Sequence, residues 1–188
     1  PILHDLALTP GGYAVLTLHR PANVDDPTVL AGLLDAVGFL QDRVPVIFPI
    51  HPRTRKNLME GPLRERVVAM HNLRLLEPQG YLDFLKLTAH ARLVLTDSGG
   101  LQEETTALGV PCITIRENTE RPVTVDEGSN VLAGTDPAVI VAEARKVMRG
   151  DGKAGRRPHL WDGQAATRIV DILAHYLNDT AKAEKAPA

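Results

Sequence analysis

Six short apolar runs, each closed by turn residues and separated by stretches of helical period, constrain this chain more than any other feature. They fall at 13–18, 45–50, 73–76, 93–95, 112–115 and 130–133. Runs this short between turn signals suit buried strands, and apolar spacings of three and four between them suit helices. Helices are expected at 27–40, where Leu30, Leu33, Leu34, Val37 and Leu40 share a face, and at 54–59, 63–70, 81–88, 137–148 and 163–177. Asp26 and Asp136 are candidate N-caps, with Pro27 at a first helical position where its missing N–H costs nothing. Strands alternating with helices imply right-handed crossovers. The expected fold is therefore α/β, a Rossmann-like parallel sheet with helices on both faces. In the six-stranded doubly wound order the first and fourth strands are neighbours, and ligands bind outside the carboxyl ends of the strands at that switch point.

The fourth run opens the most informative stretch, LVLTDSGGLQEETTAL at 93–108. A strand, a glycine turn and a helix start leave several N–H groups unpaired on one side, with the helix dipole behind them. That is a natural seat for phosphate, and glycine lets the anion approach the backbone and permits positive φ. Asp97-Ser98-Gly99-Gly100 also resembles the nucleophile loop of chymotrypsin-like proteases, but that loop belongs to an all-β protein. The spacing misses the G-x-S-x-G elbow as well, since Thr96 lies two before Ser98. A plain strand-to-helix turn is the remaining alternative.

The other strand exits carry His19 and Arg20, His51 and Arg53, and Arg116 running on to Arg121. Anion-friendly groups on four exits of one rim point to a phosphorylated ligand. Each has a structural reading beside it. His19 either caps a strand end or, as an imidazolium, meets a diphosphate. His51, between Ile50 and Pro52, divides the same way. Glu103 suits a helix N-terminus, while Glu104, one position on, could accept ribose hydroxyls. Arg121 is a surface charge or a phosphate clamp, and Phe84 on a short helix is core or a ligand wall.

At 188 residues the chain can bury one domain, expected over residues 1–178, with a small polar tail at 179–188 expected to be disordered. It begins at Pro1 and reads as cut from something longer. A net charge of −2 gives no electrostatic case for nucleic-acid or membrane binding. No apolar run reaches the roughly 20 residues that span a bilayer. The single cysteine, Cys112, precludes an internal disulfide and suits a reducing cytoplasm. Neither histidine has a Cys, Asp or second His at metal-ligand spacing, so no metal site is expected.

The ordered set LTLHRPANVDD, FPIHPR, YLDFL, LVLTDSGGLQEE and RENTERP, followed by DGQAATRIVDIL, resembles the non-hydrolysing UDP-N-acetylglucosamine 2-epimerases. The resemblance runs from about residue 12 to 177 and matches only the C-terminal half of that family's two-domain, glycosyltransferase-B-like enzyme. It implies that the N-terminal domain, which carries the proton-moving carboxylates, lies outside this chain. It also implies that Ser98, Gly99 and Gly100 hold the diphosphate, Glu104 the ribose hydroxyls, and Arg121 part of the nucleotide. Phe84 would lie by the uracil. His19 falls on the family's essential histidine. His51 falls on one tied in bacterial members to UDP or to a second, activating UDP-N-acetylglucosamine. Many members have Arg and Glu after the first His-Arg, where Pro21 and Ala22 stand here.

The implied reaction inverts C2 of the sugar through elimination and re-addition of UDP, with no cofactor, in a cytoplasmic enzyme that is a homodimer at full length. A UDP-sugar glycosyltransferase, a hydrolysing epimerase and a non-catalytic nucleotide-binding module are the competing readings.

Overall fold

Apolar residues at consecutive strand positions decide how the sheet is buried. The structure is a computed structural model that describes the backbone of residues 1–183 and side chains through 177. Its elements run α1 (Ile2–Asp5), β1 (Ala14–Thr17), α2 (Pro21–Val24), α3 (Pro27–Gln41), β2 (Val46–Pro49), α4 (Pro52–Met59), α5 (Arg64–Val68) and β3 (Leu73–Leu76). There follow α6 (Tyr81–Ala89), β4 (Leu93–Thr96), α7 (Gly99–Leu108), β5 (Cys112–Thr114), α8 (Pro122–Asp126), β6 (Asn130–Leu132), α9 (Pro137–Arg149) and α10 (Ala165–Ala183). The strands form one parallel sheet in the order β3-β2-β1-β4-β5-β6. This is the doubly wound order expected from the sequence, with β1 against β4 from Ala14↔Leu93 to Thr17↔Thr96.

Successive residues along each strand serve opposite cores. Ala14, Leu16, Val46, Phe48, Leu93, Leu95 and Ile113 pack with the apolar stripes of α3 and α9. Val15, Ile47 and Val94 face the other way, against Leu87 of α6 and Leu101 of α7. Both faces are covered, so the strands read as continuous apolar runs rather than alternating ones.

Helix starts follow the local chemistry. Asp26 accepts from the N–H groups of Thr28 and Val29, and Asp136 from that of Ala138, so both cap as expected. Gly109 and Gly150 close α7 and α9 in the left-handed conformation that glycine adopts without strain. Two short helices, α2 and α8, lie where the sequence reads as loop. Each begins with proline at its first turn and is too short to show a period.

The chain divides into two compact units, Pro1–Arg157 and the part from Pro158 onward. The second contains α10, which starts two residues later than expected and continues to Ala183 rather than ending at 177. Asp162 accepts from Gln164 N–H and from Arg168, ordering the approach to that helix. Of the tail expected at 179–188, residues 184–188 lie outside the described residues. No helix among the described residues is long and apolar enough to cross a membrane.

Tyr13 is fully buried, and its hydroxyl donates to the carbonyl of Leu87 at 2.6 Å, tying β1 to α6. Burial pushes its pKa up to about 12. Tyr13→Phe leaves the ring in place and strips that carbonyl of its donor. It should cost about 1–2 kcal/mol, read as a lower urea midpoint at unchanged m.

Candidate functional site

The switch point between β1 and β4 organises the rim. The last residues of these strands, Thr17 and Thr96, join through their hydroxyls at 2.6 Å. Thr96 Oγ1 also accepts the N–H of Ser98 at 2.9 Å. The strand thus turns into α7 in two residues, Asp97 and Ser98.

Asp97 is fully buried. Its Oδ2 accepts from the N–H of His19 at 3.0 Å, the N–H of Arg20 at 2.9 Å and Nδ2 of Asn23 at 3.2 Å. Its Oδ1 lies 2.9 Å from Nδ1 of His19. Asn23 Nδ2 reaches further, to the carbonyl of Ile115 beyond β5 at 3.0 Å. One carboxylate therefore ties together the exits of β1, β4 and β5. Burial pushes the Asp97 pKa up. The bonds from His19 and the two backbone amides together outweigh it, and the net shift is downward. The bond to Asp97 raises the His19 pKa above its ordinary 6.5, against opposition from burial and from Arg20.

Ser98 is a residue type that ordinarily caps a helix, yet its side chain makes no capping bond to α7. The first amides of α7 are left without a side-chain partner, facing outward at the positive end of the helix. Gly99 and Gly100 are not the turn that the sequence suggests. They are the first two helical residues and have no positive φ. A Cβ on Gly100 would meet nothing within 4 Å, and one on Gly99 only Glu120 Oε2 at 3.8 Å. The fold itself does not require glycine at either position. What glycine leaves is open space where side chains would stand beside the helix start.

These groups face a cleft of about 340 Å³ lined by Thr17, Leu18, His19, Pro49, Ile50, His51, Pro78, Gln79, Phe84, Ser98, Gly100, Leu101 and Glu104. That volume is at the low end for a small-molecule site, and the mixed lining is usual for one. Of the residues singled out from the sequence, His19, His51, Phe84, Ser98, Gly100 and Glu104 meet here. Gly99 borders the helix start without lining the cleft. Glu104 is half-buried, and burial raises its pKa. Phe84 combines both of its readings, since it packs on the second core and shows an edge to the cleft. His51 does likewise, lining the cleft while its Nδ1 accepts Arg53 N–H at 3.2 Å as the cap of α4.

The arginines differ from the expectation of a cationic rim. Arg53 is bound by Asp25, with Nε–Oδ1 at 2.8 Å. Arg116 grips Glu120 through two bonds of 2.9 and 2.7 Å and holds that carboxyl down to about 2. Arg121 pairs with Glu103 at 3.1 Å and does not line the cleft. Carboxylates pair with all three. Among the described residues no ion pair joins the Arg20 guanidinium to a carboxylate.

Two groups of residues were not legible as functional. Asp97 reads as an ordinary turn residue, since its partners lie 74–78 positions away. The second is a buried polar network beneath the loop 116–121. Gln102 Oε1 accepts from Thr119 Oγ1 at 2.6 Å and from Asn130 Nδ2 at 3.2 Å, while Gln102 Nε2 donates to the Ser98 carbonyl at 3.3 Å. Thr119 Oγ1 in turn accepts the N–H of Arg121. Only the run of polar residues inside an otherwise apolar helix start could have hinted at it. Among the described residues no cluster suited to a metal ion is present.

Known proteins share this fold over most of the chain. The family model for UDP-N-acetylglucosamine 2-epimerase matches residues 1–174. A UDP-N-acetylglucosamine 2-epimerase from Methanococcus maripaludis is 44% identical over 155 residues, 77% of this chain and 42% of the relative. A UDP-2,3-diacetamido-2,3-dideoxy-D-glucuronate 2-epimerase from Pseudomonas aeruginosa is 39% identical over 168 residues, 87% of this chain and 44% of the relative. The solved UDP-GlcNAc 2-epimerase of Methanocaldococcus jannaschii superposes with TM-score 0.81 at 38% identity, covering 91% of this chain and 48% of that one. Its complex with UDP-GlcNAc and UDP superposes with TM-score 0.76 at 39% identity, covering 87% and 45%. The chain therefore spans about half the length of the relatives it matches.

The histidine–aspartate pair sets a pH dependence. With its folded pKa raised, His19 holds a proton that the unfolded chain releases above about 6.5. Its stabilisation is full below that value and is lost as pH rises through the folded pKa. The unfolding free energy should fall across that window, and in H19Q the descent should disappear. Urea titrations from pH 5.5 to 8.5 measure it.

Proposed function

The chain belongs to the UDP-N-acetylglucosamine 2-epimerase family, and on that premise we propose that it is the nucleotide-binding half of an enzyme that interconverts UDP-N-acetylglucosamine and its C2 epimer, UDP-N-acetylmannosamine. The observation that carries the reading is the conjunction at one cleft of the uncapped start of α7, open space at Gly100, and His19 bonded through Nδ1 to buried Asp97.

In the proposed reaction a base takes the C2 proton of the sugar. The C–H electrons form a C1–C2 double bond, the C1–O bond breaks, and UDP departs as an anion. Reprotonation of C2 on the opposite face and return of UDP to C1 complete the inversion. The developing charge sits on the diphosphate, so the useful groups are donors fixed in advance at that position. The amides of Gly99 and Gly100, the Ser98 hydroxyl and the His19 imidazolium supply them. Ser98 contributes its hydroxyl rather than its amide, which Thr96 already occupies. Glu104 accepts the ribose hydroxyls, and Phe84 and the apolar wall receive the base. His51 has its Nδ1 engaged as a cap, so its Nε2 is the atom it offers.

Arg121 joins the nucleotide only by exchanging Glu103 for phosphate. Both partners are substantially exposed. Such pairs are worth about 0–1 kcal/mol, so the exchange costs little. Among the described residues Glu104 is the one carboxylate lining this cleft, and the bond to Asp97 makes His19 hold its proton more tightly than a free imidazole. Removal of a C2 proton therefore calls for a base supplied from outside it. By this reading the isolated chain binds UDP weakly and turns over nothing.

Calorimetry with UDP tests the assignment. Gly100→Val places a branched side chain into space that no protein atom occupies, so the melting temperature should move by no more than a few degrees. UDP affinity should fall by at least about tenfold, about 1.4 kcal/mol. Unchanged affinity in that variant removes the amides from the binding site. Release of the manno epimer by the isolated chain, followed by chromatography, would contradict its assignment as the nucleotide-binding half alone.

A further inference from the structure

We propose that Asp97 is a positioning residue for this reaction, holding the His19 imidazole with Nδ1 turned into the protein and Nε2–H presented, as a cation, to the diphosphate. The inference deepens the reading above and rests on the cleft being a diphosphate site.

The division of labour between the two oxygens of Asp97 carries the argument. Oδ2 accepts the N–H groups of His19 and Arg20 and the side-chain amide of Asn23, at 2.9–3.2 Å. Those three bonds are enough to pin the strand exits. Oδ1 has the remaining task, with Nδ1 of His19 at 2.9 Å and the His19 amide more distant at 3.2 Å. A fully buried carboxylate is costly to keep charged unless donors meet both oxygens. An asparagine could hold the same loop through one carbonyl oxygen at lower desolvation cost. What asparagine cannot do is accept from Nδ1–H, because its amino group would face the ring and donate instead. The imidazole would then accept at Nδ1, stay neutral, and offer Nε2–H without charge.

The charged and titratable groups around the pair are few. Arg20 follows His19 and opposes its protonation, and Arg116 acts on Asp97 from the β5 exit. Glu120 answers both Arg116 and Arg20. His51 and Glu104 share the cleft with His19. Of the carboxylates among them, Asp97 is the one bonded to the ring, so the proton on His19 depends on it.

The test is D97N, compared with H19Q and with the double variant, using UDP as ligand. His19 protonation is followed by nitrogen NMR of histidine-labelled protein, and affinity by calorimetry at pH 6 and 8. In the wild-type protein His19 should titrate above the ordinary range and resist deprotonation further when UDP is bound. D97N should lower the His19 midpoint by at least about one unit and weaken UDP about tenfold at pH 6. H19Q should weaken UDP comparably, and the double variant should lose no more than H19Q alone. Losses that add in full, or a His19 midpoint unmoved in folded D97N, overturn the proposal. If D97N does not fold, the wild-type protein decides. Both ring nitrogens protonated at pH 6, with the Nδ1–H proton hydrogen-bonded, support the assignment, and a ring protonated on one nitrogen only at that pH refutes it. If wild-type and H19Q proteins both fail to bind UDP, the diphosphate reading of the cleft is what fails. The His19 midpoint in D97N then still reports separately on the role of Asp97.

Discussion

A carboxylate with no exposed surface sits where the sheet changes its winding direction, and the rim of the molecule is assembled on it. Asp97 brings the ends of β1 and β4 together directly, and that of β5 through Asn23. Parallel strands at a switch point diverge into helices on opposite faces, so nothing in the ladder itself holds their exits together. A buried anion that collects donors from each exit does so, and its dependence on those donors makes the arrangement specific. Removing any of them leaves charge unpaired in a low-dielectric place.

The electrostatics of the cleft follow from economy rather than abundance. The sequence places arginines at several strand exits, and the structure pairs Arg53, Arg116 and Arg121 with Asp25, Glu120 and Glu103. What faces the cleft is softer and better fixed: a helix start, a hydroxyl and one imidazole bonded to a buried carboxylate. Fixed dipoles need no reorganisation when an anion forms, whereas long side chains must be ordered each time.

A second buried polar layer supports the first. Gln102, one turn into α7, joins the Ser98 carbonyl to Thr119 and Asn130, and Thr114 donates to Asn130 at 2.6 Å. The loop 116–121 and the start of α7 are thereby one hydrogen-bonded body. Networks of this kind stabilise only when each member is satisfied, and then they define a single arrangement. The chain uses this to keep a loop rich in charge close to an uncapped helix end.

Much of this was legible without coordinates. The lengths of six apolar runs and the helical periods between them determine a parallel sheet covered on both sides, because both periodicities are local. Right-handed crossover then leaves few topologies, and the observed strand order is the one in which His19, His51 and Ser98 share a rim. The short helices α2 and α8 escaped because one turn has no period to read. The helical state of Gly99 and Gly100 escaped because glycine permits more backbone than it prescribes. Tertiary structure alone decided which charges pair with one another. Asp97 finds its donors more than seventy residues away, and Arg121 its carboxylate on another helix. Periodicity is written along the chain, but a charge is balanced by whatever lies within a few ångströms of it, and only the fold sets that distance.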